Sequence, residues 1–445
     1  MFSKRFHPTI VSLTAALTAV LALGLPAAVR AQSLQELFDA AHGFDATYLG
    51  ARALAESAQY RVEQVEALAR PSLAATAGAS ATQSDVPILG KRDQYTTQGG
   101  VNGRYPLFNR ANGVTIEQAR RTLESARADL DSAEQDLILR VAQAYFDVLG
   151  AQDTLGTTRA SKAAITEQLA SAKRNFEVGT ATITDTREAQ ARFDLATAQE
   201  IAADNDLRTK RIALDQLVGR SGVAPKPLLT PVVLPDTVPA NAEEWVSAAD
   251  AQHPAVLRAR VGLDVAVLET AKARAAALPT VDAVASIGVT NARGNGATFP
   301  GITPSGSLGV QMNWPLYTGG AVQNRIKETL VLEEKSRFDL EAARRSVAQG
   351  TRVAFFGLQS GLAQVMALEA AEASSKLALE ATQLGYKVGV RVNLDVLNAQ
   401  TQLFQTRRDL DKARYDVLVG GLRLRQASGR VVPDDVAATN RLLAP

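Results

Sequence analysis

Two segments, Val281-Asp-Ala-Val-Ala-Ser-Ile-Gly-Val-Thr290 and Ser307-Leu-Gly-Val-Gln-Met-Asn-Trp314, decide the fold of this chain. In the first, Val281, Ala283, Ala285, Ile287 and Val289 alternate with Asp282, Ser286 and Thr290. In the second, Leu308, Val310, Met312 and Trp314 alternate with Ser307, Gly309, Gln311 and Asn313. A period of two residues puts one apolar and one polar face on an extended strand. Earlier in the chain the pattern returns more faintly: Leu73, Ala75, Ala77, Ala79 and Ala81 occupy the odd positions of 72–83, and Tyr95, Thr97, Val101, Tyr105 and Leu107 those of 95–107. The reading is four strands, at about 72–83, 95–107, 280–290 and 305–316, all nearly free of charge.

A surface hairpin with one face on a core has this alternation, and so does an outer-membrane barrel strand, polar toward the lumen and flanked by interfacial aromatic residues. Tyr95, Tyr105, Phe108, Trp314 and Tyr317 sit near the strand ends, as such a girdle requires. The connections at 84–93 and 291–302 are polar and rich in turn residues, among them Gly294-Asn295-Gly296. Four strands cannot close a barrel around a pore, and lipid tolerates no open edge, so several subunits would share one barrel.

Outward from the strands the pattern becomes helical. Leu123, Ala126, Leu130, Ala133 and Leu137 are spaced three and four apart in a stretch rich in Ala, Leu, Gln, Glu and Arg. Neither 107–224 nor 316–432 contains a proline. Matching pieces recur at an offset near 210: Tyr105-Pro-Leu-Phe108 against Trp314-Pro-Leu-Tyr317, Tyr145-Phe146 against Phe355-Phe356, and Val178-Gly179 with Asp185 against Val388-Gly389 with Asp395. This is an internal duplication. Each Val-Gly breaks the periodicity and reads as a helix reversal at Gly179 and at Gly389. A helix over 114–177 would be about 96 Å long, nearly the sum of helices over 45–69 and 184–219 laid end to end, so two short helices can line one long one. The second half repeats this with 321–387 against 255–277 and 393–428.

The organisation expected is a secretory signal peptide over 1–31, a first repeat over 32–222, a Pro-rich crossover over 223–254, a second repeat over 255–428 and a tail over 429–445. Lys4 and Arg5, the apolar run from Ile10 to Leu25 and Val29-Arg30-Ala31 carry the signal-peptide reading. No later stretch is read as apolar enough for a helical span, so membrane contact falls to the strands. Ser33 with Glu36 is a capping box opening the first mature helix, and Asn241 with Glu244 caps a short crossover helix.

Composition narrows function. With 48 Lys+Arg against 46 Asp+Glu the chain has no basic footprint for nucleic acid, and with no cysteine it has no disulfide, thiolate metal site, Cys nucleophile or Cys-attached lipid. His42 and His253 read as surface or capping residues near helix starts, so no metal is expected. Gly99-Gly-Val-Asn-Gly103 lacks the Lys-Ser/Thr and helix of a phosphate loop and reads as strand. No acid–base or nucleophile constellation suggests an enzyme, and no cofactor is implied. A periplasmic coiled-coil adaptor without a barrel is the alternative, and the duplication and the four strands count against it.

With Phe176-Glu-Val-Gly-Thr-Ala-Thr-Ile-Thr184-Asp185, Tyr386-Lys-Val-Gly-Val-Arg391-Val-Asn-Leu-Asp395-Val-Leu-Asn398, and the strand-end Pro-Leu-Phe and Pro-Leu-Tyr motifs, the sequence resembles the TolC family of outer-membrane efflux and secretion channels. The resemblance implies a mainly α protein with a β-barrel part: a homotrimer whose duplicated long-helix hairpins form a tunnel through the periplasm, and whose four strands per chain build one shared twelve-stranded barrel. It also implies a passive exit duct for small molecules or unfolded protein, worked by a periplasmic adaptor (membrane fusion protein) and an inner-membrane transporter, ABC or proton-driven. Gly179 and Gly389 then mark the periplasmic tip. Tyr386 and Arg391 look like links that hold the tip shut through Asp185 and Thr184, and Asp395 like a member of an acidic ring at the constriction. Asn398 stands where family members carry a second Asp, which implies a weaker ring.

Overall fold

The computed structural model describes residues 31–88, 90–229 and 231–444; the signal-peptide expectation falls, apart from Ala31, outside the described residues. The chain runs α1 (Leu34–His42), α2 (Ala46–Glu66), β1 (Ser72–Val86), β2 (Gly90–Phe108), α3 (Arg110–Glu177), α4 (Ile183–Val218), α5 (Ala242–Gln252), α6 (Pro254–Ala275), β3 (Thr280–Arg293), β4 (Gly301–Asn313), α7 (Ala321–Lys387), α8 (Asn393–Ala427) and α9 (Pro433–Asn440). It is a mainly helical fold with one four-stranded sheet. Helices α3 and α7, of 68 and 67 residues, each span about 100 Å without a break, because Ala, Leu and straight-chain polar residues fill them and no proline interrupts.

The sheet is antiparallel in the order β1-β2-β3-β4. Its register places Leu73, Gly103, Ala285 and Leu308 in one row and Ala75, Val101, Ile287 and Gly306 two residues along, all on one face. The opposite face carries Asn102, Ser286 and Ser307 in one row and Thr76 and Ser305 in another. The apolar face is not covered: Leu73 is 80% exposed, Ile287 67% and Leu308 86%. A hairpin lying on a soluble core would bury these residues, so the surface-hairpin reading fails.

The strands run longer than the alternation indicates. β1 and β2 pair from Ser72–Arg104 to Val86–Gly90, so most of the expected 84–93 loop is ladder, and the 291–302 loop shrinks to 294–300. Polar strand residues pair as readily as apolar ones where a hairpin rises into water. Asn295 then ties the β3–β4 connection to β2, its side-chain oxygen accepting from the Asp93 N–H at 2.7 Å. β4 stops at Asn313, short of the expected 316, because Pro315 has no N–H for a ladder. Trp314 and Tyr317 therefore lie beyond the strand, exposed like Tyr95, Tyr105 and Phe108.

The main core lies midway along the helices, where α1, α3, α4, α8 and α9 meet around Leu37, Leu137, Val141, Tyr145, Phe146, Leu214, Leu422 and Val436. Main-chain bridges Gln32–Pro225 and Leu228–Leu443 bind the crossover and the tail to this core. The buried Tyr145 hydroxyl reaches the Lys226 carbonyl at 3.0 Å, and burial pushes its pKa up. The duplication is visible in packing: Tyr145 meets Phe146 edge-on at 5.5 Å, and Phe355 meets Phe356 edge-on at the same distance.

Some local expectations need correction. Ser33 and Glu36 form their capping box, but Asn241 caps α5 through the Glu243 N–H and not in a box with Glu244. His253 caps α6, whereas His42 ends α1, its ring 4.4 Å from that of Tyr48. One window of α7 is apolar enough by length and composition to cross a membrane, contrary to the expectation for residues after 31. Only 17% of that window is buried, so α7, which lies along α6 and α8 with one side, carries an exposed apolar stripe on another.

Candidate functional site: the helical tip and the contact of the two long hairpins

At the end of the helices furthest from the sheet, α3 turns into α4 and α7 into α8 by the same device. Val178 N donates to Arg174 O (3.1 Å), Gly179 N to Phe176 O (3.0 Å), and Thr180 N and Ala181 N to Asn175 O (2.8 and 3.1 Å). In the second turn Val388 N donates to Leu384 O (3.1 Å), Gly389 N to Tyr386 O (3.1 Å), and Val390 N and Arg391 N to Gly385 O (2.9 and 3.1 Å). Gly179 and Gly389 stand at φ of 80° and 79°, a region where side chains are strained. Sequence repetition here is repetition of a hydrogen-bond circuit.

The helices that follow start differently. Thr182 caps α4, and the Asp185 carboxylate accepts from the Thr182 N–H (2.9 Å) and hydroxyl (2.7 Å). Val392 precedes α8 and has no side-chain acceptor, so only the Asp395 carboxylate reaching back to the Val392 N–H (3.4 Å) closes that end. Arg391 lies 3.6 Å from the Asp395 carboxylate, one turn on. Asp185 and Asp395, equivalent in the repeat, are thus both first-turn acids favoured by the helix dipole.

The two hairpins are tied by side-chain hydrogen bonds in which no carboxylate takes part. Asn175 Nδ2 of α3 donates to the Tyr386 hydroxyl of α7 at 3.2 Å. Arg192 of α4 donates to Asn398 Oδ1 of α8 at 3.0 Å, and Gln168 of α3 donates to Asn393 of α8. Ile165, Leu169, Ala172, Ala189, Ala196 and Leu397 pack beneath them. Among the described residues of this single chain, neither Tyr386 nor Arg391 hydrogen-bonds Asp185 or Thr184: Asp185 is committed to its cap, Arg391 to Asp395, and Thr184 is exposed in the first turn of α4. Asn175, Gln168, Arg192 and Asn393 escaped the sequence reading because nothing in the helical period tells which polar residue faces the neighbouring hairpin.

Further from the tip, where α8 packs on α3, the Asp153 and Asp411 carboxylates act on each other. Tyr415 of α8 donates to Asp153 of α3 at 2.5 Å. Burial pushes the Asp153 carboxyl up and the Tyr415 hydroxyl up, and burial together with the Asp153 charge pushes Asp411 up to about 6. Arg414 (3.8 Å from Asp411) and Arg407 pull the other way, and Glu372 of α7 adds to the rise. Among the described residues no group of His, Asp or Glu is arranged to hold a metal ion.

Comparison with known proteins follows this geometry. A family model described as outer membrane efflux protein matches residues 49–220 and 245–430. The chain is 34% identical over 423 residues to outer membrane protein TolC of Vibrio cholerae serotype O1, covering 94% of this chain and 96% of that protein. It is 35% identical over 300 residues to alkaline protease secretion protein AprF of Pseudomonas aeruginosa, covering 66% of this chain and 61% of that one. The crystal structure of the outer membrane protein VceC of Vibrio cholerae superposes with a TM-score of 0.75 at 20% identity, covering 89% of this chain and 96% of that chain, a likeness of fold. The reading as a coiled-coil adaptor without a barrel finds no support among these.

Proposed function

The chain belongs to the outer membrane efflux protein family, and from that premise we propose that three copies assemble one exit duct, each giving four strands to a twelve-stranded barrel and its long helices to a tunnel across the periplasm. The observation that carries this reading is the sheet. Its apolar face is uncovered, its polar face is continuous, and β1 and β4 each present an unpaired edge that lipid does not tolerate. Pairing β4 of one copy with β1 of the next removes every edge and turns the polar face inward. Tyr95 at one level, and Tyr105, Phe108, Trp314 and Tyr317 at the other, then mark the two membrane interfaces.

The duct is passive. It conducts small molecules or unfolded protein delivered by an inner-membrane transporter, ABC or proton-driven, through a periplasmic adaptor; the likeness to a protease secretion protein supports protein cargo, and the family description supports efflux. At the tip, Asp395 from three copies forms an acidic ring that attracts cations. Asn398, neutral and held by Arg192, weakens the ring. Tyr386 and Arg391 hold the tip closed, Tyr386 through Asn175 within one copy, and Arg391 by leaving Asp395 for Asp185 or Thr184 of an adjacent hairpin in the trimer.

The chain lacks cysteine, so introduced pairs report without background. Single cysteines placed along β1 (Leu73 to Ala81) and β4 (Ile302 to Met312) in one chain are expected to give, on oxidation, a covalent trimer at one register. Absence of any cross-linked trimer, with the protein inserted in outer membranes, would refute the shared barrel.

A further inference from the structure

The polar face of the sheet carries a charge arrangement unlike the tip. Following the register along this face, from Gln94 inward, the side chains are Ser, Thr, Asn, Gln, Gly, Ala, Val and Pro with two exceptions, Arg104 and Asp282. Their side chains pair at 2.6 Å from Arg Nη2 to Asp Oδ2. They are unequal in exposure: the Arg104 side chain is 61% exposed and the Asp282 side chain 10%. The other Asp282 oxygen is buried and has no partner among the described residues. Both residues sit on the two inner strands, at the end adjoining the helices, where strand pairing with a neighbouring copy leaves them uncovered. With Ser72, Asn102, Ser286 and Ser307, Arg104 borders a depression in this face.

On the reading that the polar face lines a channel, we propose that Arg104, backed by buried Asp282, forms a ring of three guanidinium groups at the inner mouth of the barrel that selects for anionic groups on the passing cargo. The carboxylate positions the guanidinium and is hidden behind it, so cargo meets the positive partner first. The charge order along the duct is then acidic at the helical tip and basic at the barrel. A cargo carrying both signs, such as a polypeptide or a zwitterionic small molecule, is held at neither.

The test is ion selectivity of the full trimer in planar bilayers at low salt, where the Debye length of about 30 Å at ~10 mM lets three charges act across the lumen. Asp282→Asn, which leaves Arg104 charged and unopposed, is expected to raise the anion-to-cation permeability ratio about twofold or more, and Arg104→Gln with Asp282→Asn to lower it below the parent. Equal ratios in all three overturn the inference while leaving the channel intact; no conductance from the parent overturns the channel reading itself. Where a variant fails to insert, cysteine reactivity in the parental background decides. Ser286→Cys, one row from Arg104, is expected to favour an anionic over a cationic thiosulfonate more strongly than Thr290→Cys does, and equal preference at both positions refutes the ring.

Discussion

Asp411 of α8 lies among carboxylates of α3 and α7, and its raised pKa of about 6 sets the sign of a stability effect. The folded chain holds a proton there that the unfolded chain, at an ordinary 3.8, releases. The penalty is therefore fully present above about pH 6 and fades as pH falls toward and below 3.8. Asp411→Asn is expected to stabilise the protein at pH 7.5 by on the order of 1 kcal/mol, after allowance for its partial exposure, and to gain little at pH 4; thermal midpoints at the two values check this. In the ring proposed at the tip, Asp395 would act by number. Asp395→Ala should reduce cation preference and also loosen the start of α8, which has no side-chain cap of its own, by about 0.5–1 kcal/mol. A reversal potential in a salt gradient identical to the parent's would remove Asp395 from the conduction path.

The reversing turns can be probed without disturbing packing, since a Cβ at Gly179 or Gly389 meets nothing within 4 Å. Alanine there costs only backbone strain, about 1 kcal/mol at each turn. Gly179→Ala and Gly389→Ala should therefore give equal, small losses, seen as faster amide exchange confined to the last turns of α3 or α7. A large or unequal loss would mean the two turns are packed differently in the assembly. These turns were legible in the sequence because a Val-Gly break in a 3.6-residue period has few other readings. The strands were legible for a similar reason: at Val281–Val289 a period of two in a charge-poor stretch contradicts the surrounding helices. The strand ends were not legible, because paired polar residues such as Arg92 with Ser84 look like loop. Neither were the contacts between hairpins. Asn175 meets Tyr386 through the rotation of two helices about their axes, and Arg104 meets Asp282 across 178 residues of sequence through strand register.

At the scale of the molecule, the single chain leaves much apolar surface uncovered on α7: Phe338, Val353, Met366 and Leu377 are all 66% exposed. Phe356 is 56% exposed although its repeat equivalent Phe146 is buried at 1%. The duplication is thus asymmetric at this pair of positions: Phe146 of α3 is in the core, whereas Phe356 of α7 faces outward. We expect Phe356→Asp and Phe338→Asp to reduce the trimer fraction at least about tenfold in detergent, read by light scattering, because each introduces a charge at a surface that assembly would bury. The same unbroken helices set the mechanics. From the Tyr145 core to the tip end of α3 is an arm of roughly 48 Å at 1.5 Å per residue, so a swing of ~5° about that core displaces the tip by ~4 Å. In the proposed duct these stiff arms would act as levers with their fulcrum near the buried Tyr145 core, so that a small swing moves the tip without breaking a bond in any helix.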